Sequence, residues 1–267
     1  MRRRPTPFGL AASAALVLVV LGLALPLVAI LTDTAPGRLW DSLRTDASLT
    51  ALGLSFAGSG IAVLIVVVVG TPAAYLLATT RFRGRTALSA LLELPLVLPP
   101  AVAGIGLLAA FGPQGIAGGA LEDVGAELPL TFAAVVVALV FVAGPFHLRQ
   151  AQSAFQAVDP AVLDAARLAG AGETAVFLRV AVPMAATGLA AGATLTFARA
   201  IGEFGATLMF AGSLAGVTRT ASLEVYTRFS TDFPGAIALS AVLVVVSAVL
   251  LLVARVLASR GEQVAGA

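Results

Sequence analysis

The sequence predicts an all-α membrane protein of about six transmembrane helices with one short helix outside the bilayer. Three observations predict it. Of the 267 residues, 59% are hydrophobic and 11% charged, and the mean hydropathy is +1.02; soluble domains carry roughly 25% charged residues. Uncharged runs recur at the length of about 20 residues that a helix needs to cross the hydrocarbon. The arginines gather between those runs, dense and sparse by turns. The chain reads as one transmembrane domain, residues 1–267, with no soluble domain and no clear internal repeat.

The first span covers about 8–31, uncharged and preceded by Arg2, Arg3 and Arg4. A signal peptide has an apolar region of about 7–15 residues, so this longer run reads as a retained span. The second covers about 49–79, long enough to require tilt or a bend near Gly70-Thr71-Pro72. The third, about 88–111, contains Pro95, Pro99 and Pro100. An interior proline removes a backbone bond and clashes with the preceding turn, and in lipid the freed groups must find protein or water. This span is therefore expected to face inward. The fourth covers about 130–148, with Gly144-Pro145 near its end. The fifth covers about 182–201, with continuation past Gly205 left open. The sixth covers about 236–257.

Between the fourth and fifth spans lies a helix over about 160–169. Asp159 is a good N-cap, because its carboxylate accepts a bond from a free backbone N–H. Pro160 fits the first helical position. Gly170 supplies the left-handed residue that ends a helix. The segment is rich in alanine, and small side chains permit close approach by another protein.

Orientation follows from arginine placement. Arg2, Arg3, Arg4, Arg81, Arg83, Arg85, Arg149, Arg167, Arg179, Arg255 and Arg260 fall on one side of a six-span chain. The other side receives Arg38, Arg44, Arg219 and Arg228, and its loop over 112–129 carries only Glu122, Asp123 and Glu127. The richer side is read as cytoplasmic, with both termini inside and the 160–169 helix with them.

Composition also excludes chemistries. There is no cysteine, hence no disulfide framework and no thiolate metal site. All 16 basic residues are arginine. A Walker A loop needs a lysine on the phosphates, so the chain is not its own ATPase by that route. A net charge of +2 gives no reason to expect nucleic acid. His147 is the only histidine; beside Arg149 at a span end, it reads as interfacial. Without partners it supports neither a catalytic nor a zinc site, so no cofactor or metal is expected in this chain. Gly53-Leu54-Ser55-Phe56-Ala57 only approximates a nucleophile elbow and lies in an apolar span.

Two intramembrane charges stand out. Arg199 and Glu203 are four apart, hence on one helix face. A charge at the bilayer centre costs about 2.5–3.5 kcal/mol on insertion scales, and pairing reduces that cost. The pair reads either as a structural brace or as part of an anion pathway, and the cancelling charge of Glu203 favours the brace. Glu93, just before Pro95, is a third candidate intramembrane charge.

The stretch Asp164-Ala165-Ala166, three residues, Gly170, then Val180-Ala181-Val182-Pro183 resembles the loop signature of ABC-importer permease subunits. Asp164, Val180 and Val182 stand where the family has Glu, Ile and Leu. The run from Ala198 to Met209, together with Gly70 to Ala78 and Leu94 to Pro100, is similar to the molybdate, tungstate and sulfate subgroup, molybdate foremost. The resemblance implies a type I importer permease fold. It makes 160–169 a coupling helix, with Ala165 and Ala166 in a cleft of a cytoplasmic ATPase dimer. Gly170 would turn the chain after that helix, and Pro183 would open the fifth span. It further implies a bacterial or archaeal plasma membrane, an external solute-binding protein, a second permease copy, and ATP with magnesium held by the ATPase. An ion-coupled secondary carrier is the alternative from another class; it favours inverted repeats and midplane carboxylates, which are not evident. An intramembrane protease lacks catalytic partners.

Overall fold

The computed structural model describes residues 6–33 and 36–265. In chain order the helices are α1 (Pro7–Thr32), α2 (Pro36–Leu43), α3 (Asp46–Ile65), α4 (Thr71–Thr79), α5 (Arg85–Glu93), α6 (Pro100–Phe111) and α7 (Gly118–Asp123). There follow α8 (Phe132–Gln156), α9 (Pro160–Leu168), α10 (Glu173–Val176), α11 (Val182–Ile201), α12 (Gly205–Ala211), α13 (Ala221–Phe229) and α14 (Phe233–Ala265). Among the described residues there is no strand.

Among the described residues, five helices are long and apolar enough to cross a membrane: Phe8–Thr32, Asp46–Thr79, Phe132–Gln156, Glu173–Ile201 and Phe233–Ala254; the bent pair Arg85–Leu96 and Pro100–Phe111 makes a sixth if it is one span. Helix α1 starts on a capping bond, the Gly9 N–H donating to Thr6 Oγ1 at 3.1 Å. Its 18-residue apolar core has no residue buried against the rest of the chain. The second span is one helix, because α3 runs into α4 through a π-helical turn, Val66–Gly70. That turn sits where Pro72 withholds an N–H, so the bend expected there is a widened turn.

The third span is broken where its prolines lie. The α5 segment, extended by a 3₁₀ turn at Leu94–Leu96, meets α6 at 112°. The break falls at Val97–Pro99, where Pro95, Pro99 and Pro100 deny the helix its donors. Within the chain its second half, not its first, reaches the core. Helix α5 buries no residue and α6 only Ala103, Gly104 and Leu107. A Cβ on Gly104 would lie 2.7 Å from the Ala206 carbonyl, so glycine is what lets α6 lie directly on α12.

The fifth span also differs. It begins at Glu173, nine residues before Val182, because α10 and a π-helical turn at Phe177–Ala181 continue into α11. The wide turn places the Val182 N–H on the Phe177 carbonyl and accommodates Pro183 two residues into α11. The helix stops at Ile201, and after three intervening residues the separate helix α12 begins.

Helix α8 is the axis of the fold, with α3, α4, α11 and α12 around it. Two distinct apolar cores form along it. One gathers Ala62, Leu107, Val135, Leu139, Val142 and Phe210. The other gathers Ala74, Ala151, Phe155, Leu163, Val176 and Ala185. The second span runs between the molecule's ends: its N-terminal part meets α13, and its C-terminal part meets the core that seats α9.

Candidate functional site at the α9 helix

Helix α9 begins where its sequence asks it to. The Asp159 carboxylate accepts a hydrogen bond from the Ala161 N–H at 2.9 Å, and Pro160 occupies the first helical position. It ends in a Schellman cap: the Ala171 N–H donates to the Ala166 carbonyl at 3.1 Å and the Gly170 N–H to the Arg167 carbonyl at 2.9 Å. Gly170 has φ +87°, a conformation that costs an L-residue roughly 1–2 kcal/mol. No atom lies within 4 Å of where its Cβ would be, so the demand for glycine is conformational and not steric.

One side of α9 is anchored. Leu163 is buried in the core with Phe155 and Val176, and Ala166 packs on the same cluster. Beneath them Tyr75, Phe155 and Phe177 pack as an aromatic trio, with ring centroids 5.0–6.2 Å apart. The other side is open. Ala161, Val162, Ala165 and Ala169 are exposed, and Leu168 is 90% exposed. Of the two alanines expected on the docking face, Ala165 therefore lies on it and Ala166 faces its own core.

Asp164 is exposed and bonded to Arg167, with Nη1 to Oδ1 at 2.9 Å. Arg167 also forks onto Glu173, with Nε to Oε1 at 2.7 Å and Nη2 to Oε2 at 3.2 Å. Its guanidinium thus ties the last turn of α9 to the first residue of α10, across the Gly170 turn. The Glu173 carboxylate, then that of Asp164, holds the Arg167 guanidinium above its ordinary pKa. The bidentate clamp went unread in the sequence. Its signal was Arg167 six residues before Glu173, with a turn glycine between. Pro183 lies in the first turn of α11, exposed, and does not touch α9 directly in any hydrogen bond.

The Arg199–Glu203 pair forms, with Nη2 to Oε2 at 2.6 Å. Its setting is more specific than one helix face. Glu203 lies beyond the end of α11, and its other oxygen accepts the Ala206 N–H at 2.8 Å. One carboxylate thus joins the last turn of α11 to the first turn of α12. The Glu203 side chain is 1% exposed and that of Arg199 29%. Glu93 ends α5, half-buried.

His147 is not interfacial. It is fully buried, and its Nε2 shares a 2.9 Å hydrogen bond with Thr71 Oγ1. Arg149 is exposed two residues later; that offset turns a side chain about 200° around a helix, so neighbouring numbers face opposite ways. Among the described residues no group of three His, Cys, Asp or Glu side chains could hold a metal ion.

The end of the molecule away from α9 holds a second polar network. Glu224 accepts from Arg228 Nε at 2.7 Å, and Arg219 Nη1 lies 3.4 Å from its other oxygen. Arg228 Nη2 donates to Thr45 Oγ1 at 2.9 Å, and the Ala221 N–H to Ser55 Oγ at 2.8 Å. These bonds fasten α13 to the start of the second span. In the sequence Arg219 and Arg228 served only to mark a side of the membrane.

With this geometry established, comparison with known proteins assigns the family. Residues 70–262 match the family described as binding-protein-dependent transport system inner membrane component. The molybdenum transport system permease protein ModB of Mycobacterium tuberculosis is 43% identical over 229 residues, 86% of this chain and 87% of that protein. The sulfate transport system permease protein CysT of Escherichia coli is 33% identical over 270 residues, 99% of this chain and 98% of that protein. A bacterial alginate ABC transporter, solved in complex with an alginate-bound periplasmic protein, contains a chain of the same fold. Its TM-score is 0.70 at 16% identity, with 92% of each chain covered. The fold is the type I ABC importer permease fold that the loop signature implied. The chain belongs to the family of binding-protein-dependent transport system inner membrane components.

Proposed function

We propose that the chain is the membrane-spanning permease of an ATP-driven oxyanion importer, with molybdate as its cargo. On this reading a cytoplasmic ATPase dimer docks on α9 of two permease copies, and an external solute-binding protein hands over the anion. ATP and magnesium stay with the ATPase, and the permease makes and breaks no covalent bond. It alternates access.

The observation that carries the reading is the open face of α9. Ala161, Ala165 and Ala169 present small side chains around the exposed Leu168, and a left-handed glycine ends the helix at once. A partner can approach such a face closely. The helix is not loose behind it, because Leu163 seats it in a packed core and Arg167 ties it to α10. A push on α9 is then transmitted through α10 and the π-helical turn to α11. Asp164 aims Arg167, Ala166 seats the helix, Gly170 makes the turn, and Pro183 sits in the first turn of the span that receives the push. The Arg199–Glu203 pair braces the junction of α11 and α12.

The cargo reading rests on the molybdenum-transport relative at 43% identity. Sulfate is the second reading, favoured by a sulfate-transport relative that spans 99% of this chain. Tungstate shares their tetrahedral dianionic form. The purified complex with ATPase and binding protein decides among them: molybdate should stimulate ATP hydrolysis at lower concentration than sulfate. Stimulation by sulfate alone would reassign the cargo. The arginine distribution puts α9 and both termini in the cytoplasm of a bacterial or archaeal cell. In this cysteine-free chain, Ala215→Cys should react with an impermeant thiol reagent from outside and Leu168→Cys should not.

A further inference from the structure

The two apolar cores meet at a single level, where the second span carries a π-helical turn, α8 an interior proline and α11 a glycine. Along the second span, Ala62 belongs to one core and Ala74 to the other. Between them lie the π-helical turn Val66–Gly70 and Pro72, which has no N–H to give. Along α8, Ala143 belongs to the first core and Ala151 to the second, with Gly144-Pro145 between. Along α11, Ala185 and Ala200 lie in opposite cores, with Gly192 between.

These positions face one another. A Cβ on Gly144 would lie 3.4 Å from Val66 Cγ2. One on Gly70 would lie 3.6 Å from the His147 ring, and one on Gly192 3.1 Å from His147 Nδ1. The polar contact across this level is the Thr71–His147 hydrogen bond, and His147 Nδ1 is buried without a partner. Packed cores move as units, whereas π turns and proline breaks are where helices yield.

We propose that this level is a hinge within the permease chain, and that His147 is the positioning residue that latches it through Thr71. The half that carries α9, α4 and the aromatic trio turns as one body against the half that carries α6 and α12. The chain is therefore not a single rigid lever between ATPase and pathway. The inference rests on α9 being the ATPase dock, and its test separates the two.

The absence of cysteine allows paired spin labels in the reconstituted complex, with one doubly labelled chain diluted into unlabelled copies. Thr79→Cys with Leu168→Cys lies within the α9 half; Ala133→Cys with Leu168→Cys spans the hinge. On trapping nucleotide, the first distance should hold and the second should shift by more than about 2 Å, the scale of interface helix shifts. A constant second distance, while distances between the two permease copies change, overturns the hinge and leaves the docking reading intact. No change between copies either would overturn both. The latch has its own readout. Thr71→Val should raise the ATP consumed per anion several-fold with the KM for the anion unchanged, and Thr71→Ser should restore the ratio. A Thr71→Val ratio equal to the parent's overturns the role of His147.

Discussion

The α9 end and the α13 end hold their charges in opposite ways. At α9, Asp164, Arg167 and Glu173 form a clamp within ten residues of chain, open to solvent and closed over one glycine turn. At α13, Glu224 and Arg228 are buried, and their helix is fastened to Thr45 and Ser55, which lie 183 and 166 residues away in sequence from their partners. Exposed local pairs contribute little to stability. A buried pair that loses one member leaves an uncompensated charge. The difference suits the two ends to different work. On the proposed docking role, the α9 end keeps its charges local, so that its helix can move as a piece. An end that holds three segments together buries its charges between them.

The comparison predicts a ranking. Glu224→Ala should cost the most, about 3–5 kcal/mol, because it leaves the buried Arg228 with only the longer carboxylate contact, to Asp232 at 3.7 Å, and Arg219 with no carboxylate. The thermal midpoint of the detergent-purified protein measures this. If Glu224→Ala melts with the parent, the α13 network is not the structural end. Next comes Leu163→Ala, at about 2–5 kcal/mol for a truncated core leucine, and it should loosen α9 without disturbing α13. Hydrogen exchange confined to α9 and α10 is the expected signature; exchange spread to α13 would mean that the ends are one cooperative unit. Smallest in stability is Arg167→Gln, which should leave the midpoint unmoved yet weaken ATPase co-purification, because the clamp orients α9 without holding the fold.

The same contrast explains what could be read from sequence. Helix α9 was legible almost to the residue, since Asp159, Pro160 and Gly170 act within one short segment. The Arg199–Glu203 contact was legible for the same reason. The α13 network was not, because Thr45–Arg228 is a fact of tertiary folding that no local pattern carries. His147 was misplaced by reading its sequence neighbour, Arg149, as its spatial neighbour. The fifth span begins at Glu173 rather than at Val182, because the π-helical turn at Phe177–Ala181 lets the helix run through to Pro183. The break in the third span was legible from Pro95, Pro99 and Pro100, but its size, 112°, was not.

Whether α9 carries the drive from the ATPase is decided at Gly170. Gly170→Val forces a β-branched residue into φ +87°, whereas Gly172→Val, two residues on at φ −67°, meets no atom within 4 Å. Both proteins should insert their spans normally, since no apolar face changes. Molybdate uptake into reconstituted vesicles, with the ATPase and binding protein supplied, is the measurement. Gly170→Val should lose most of the ATP-dependent uptake, or hydrolyse ATP without it, while Gly172→Val should transport as the parent does. Uptake at the parent's rate by Gly170→Val, with the ATPase still bound, would contradict the account.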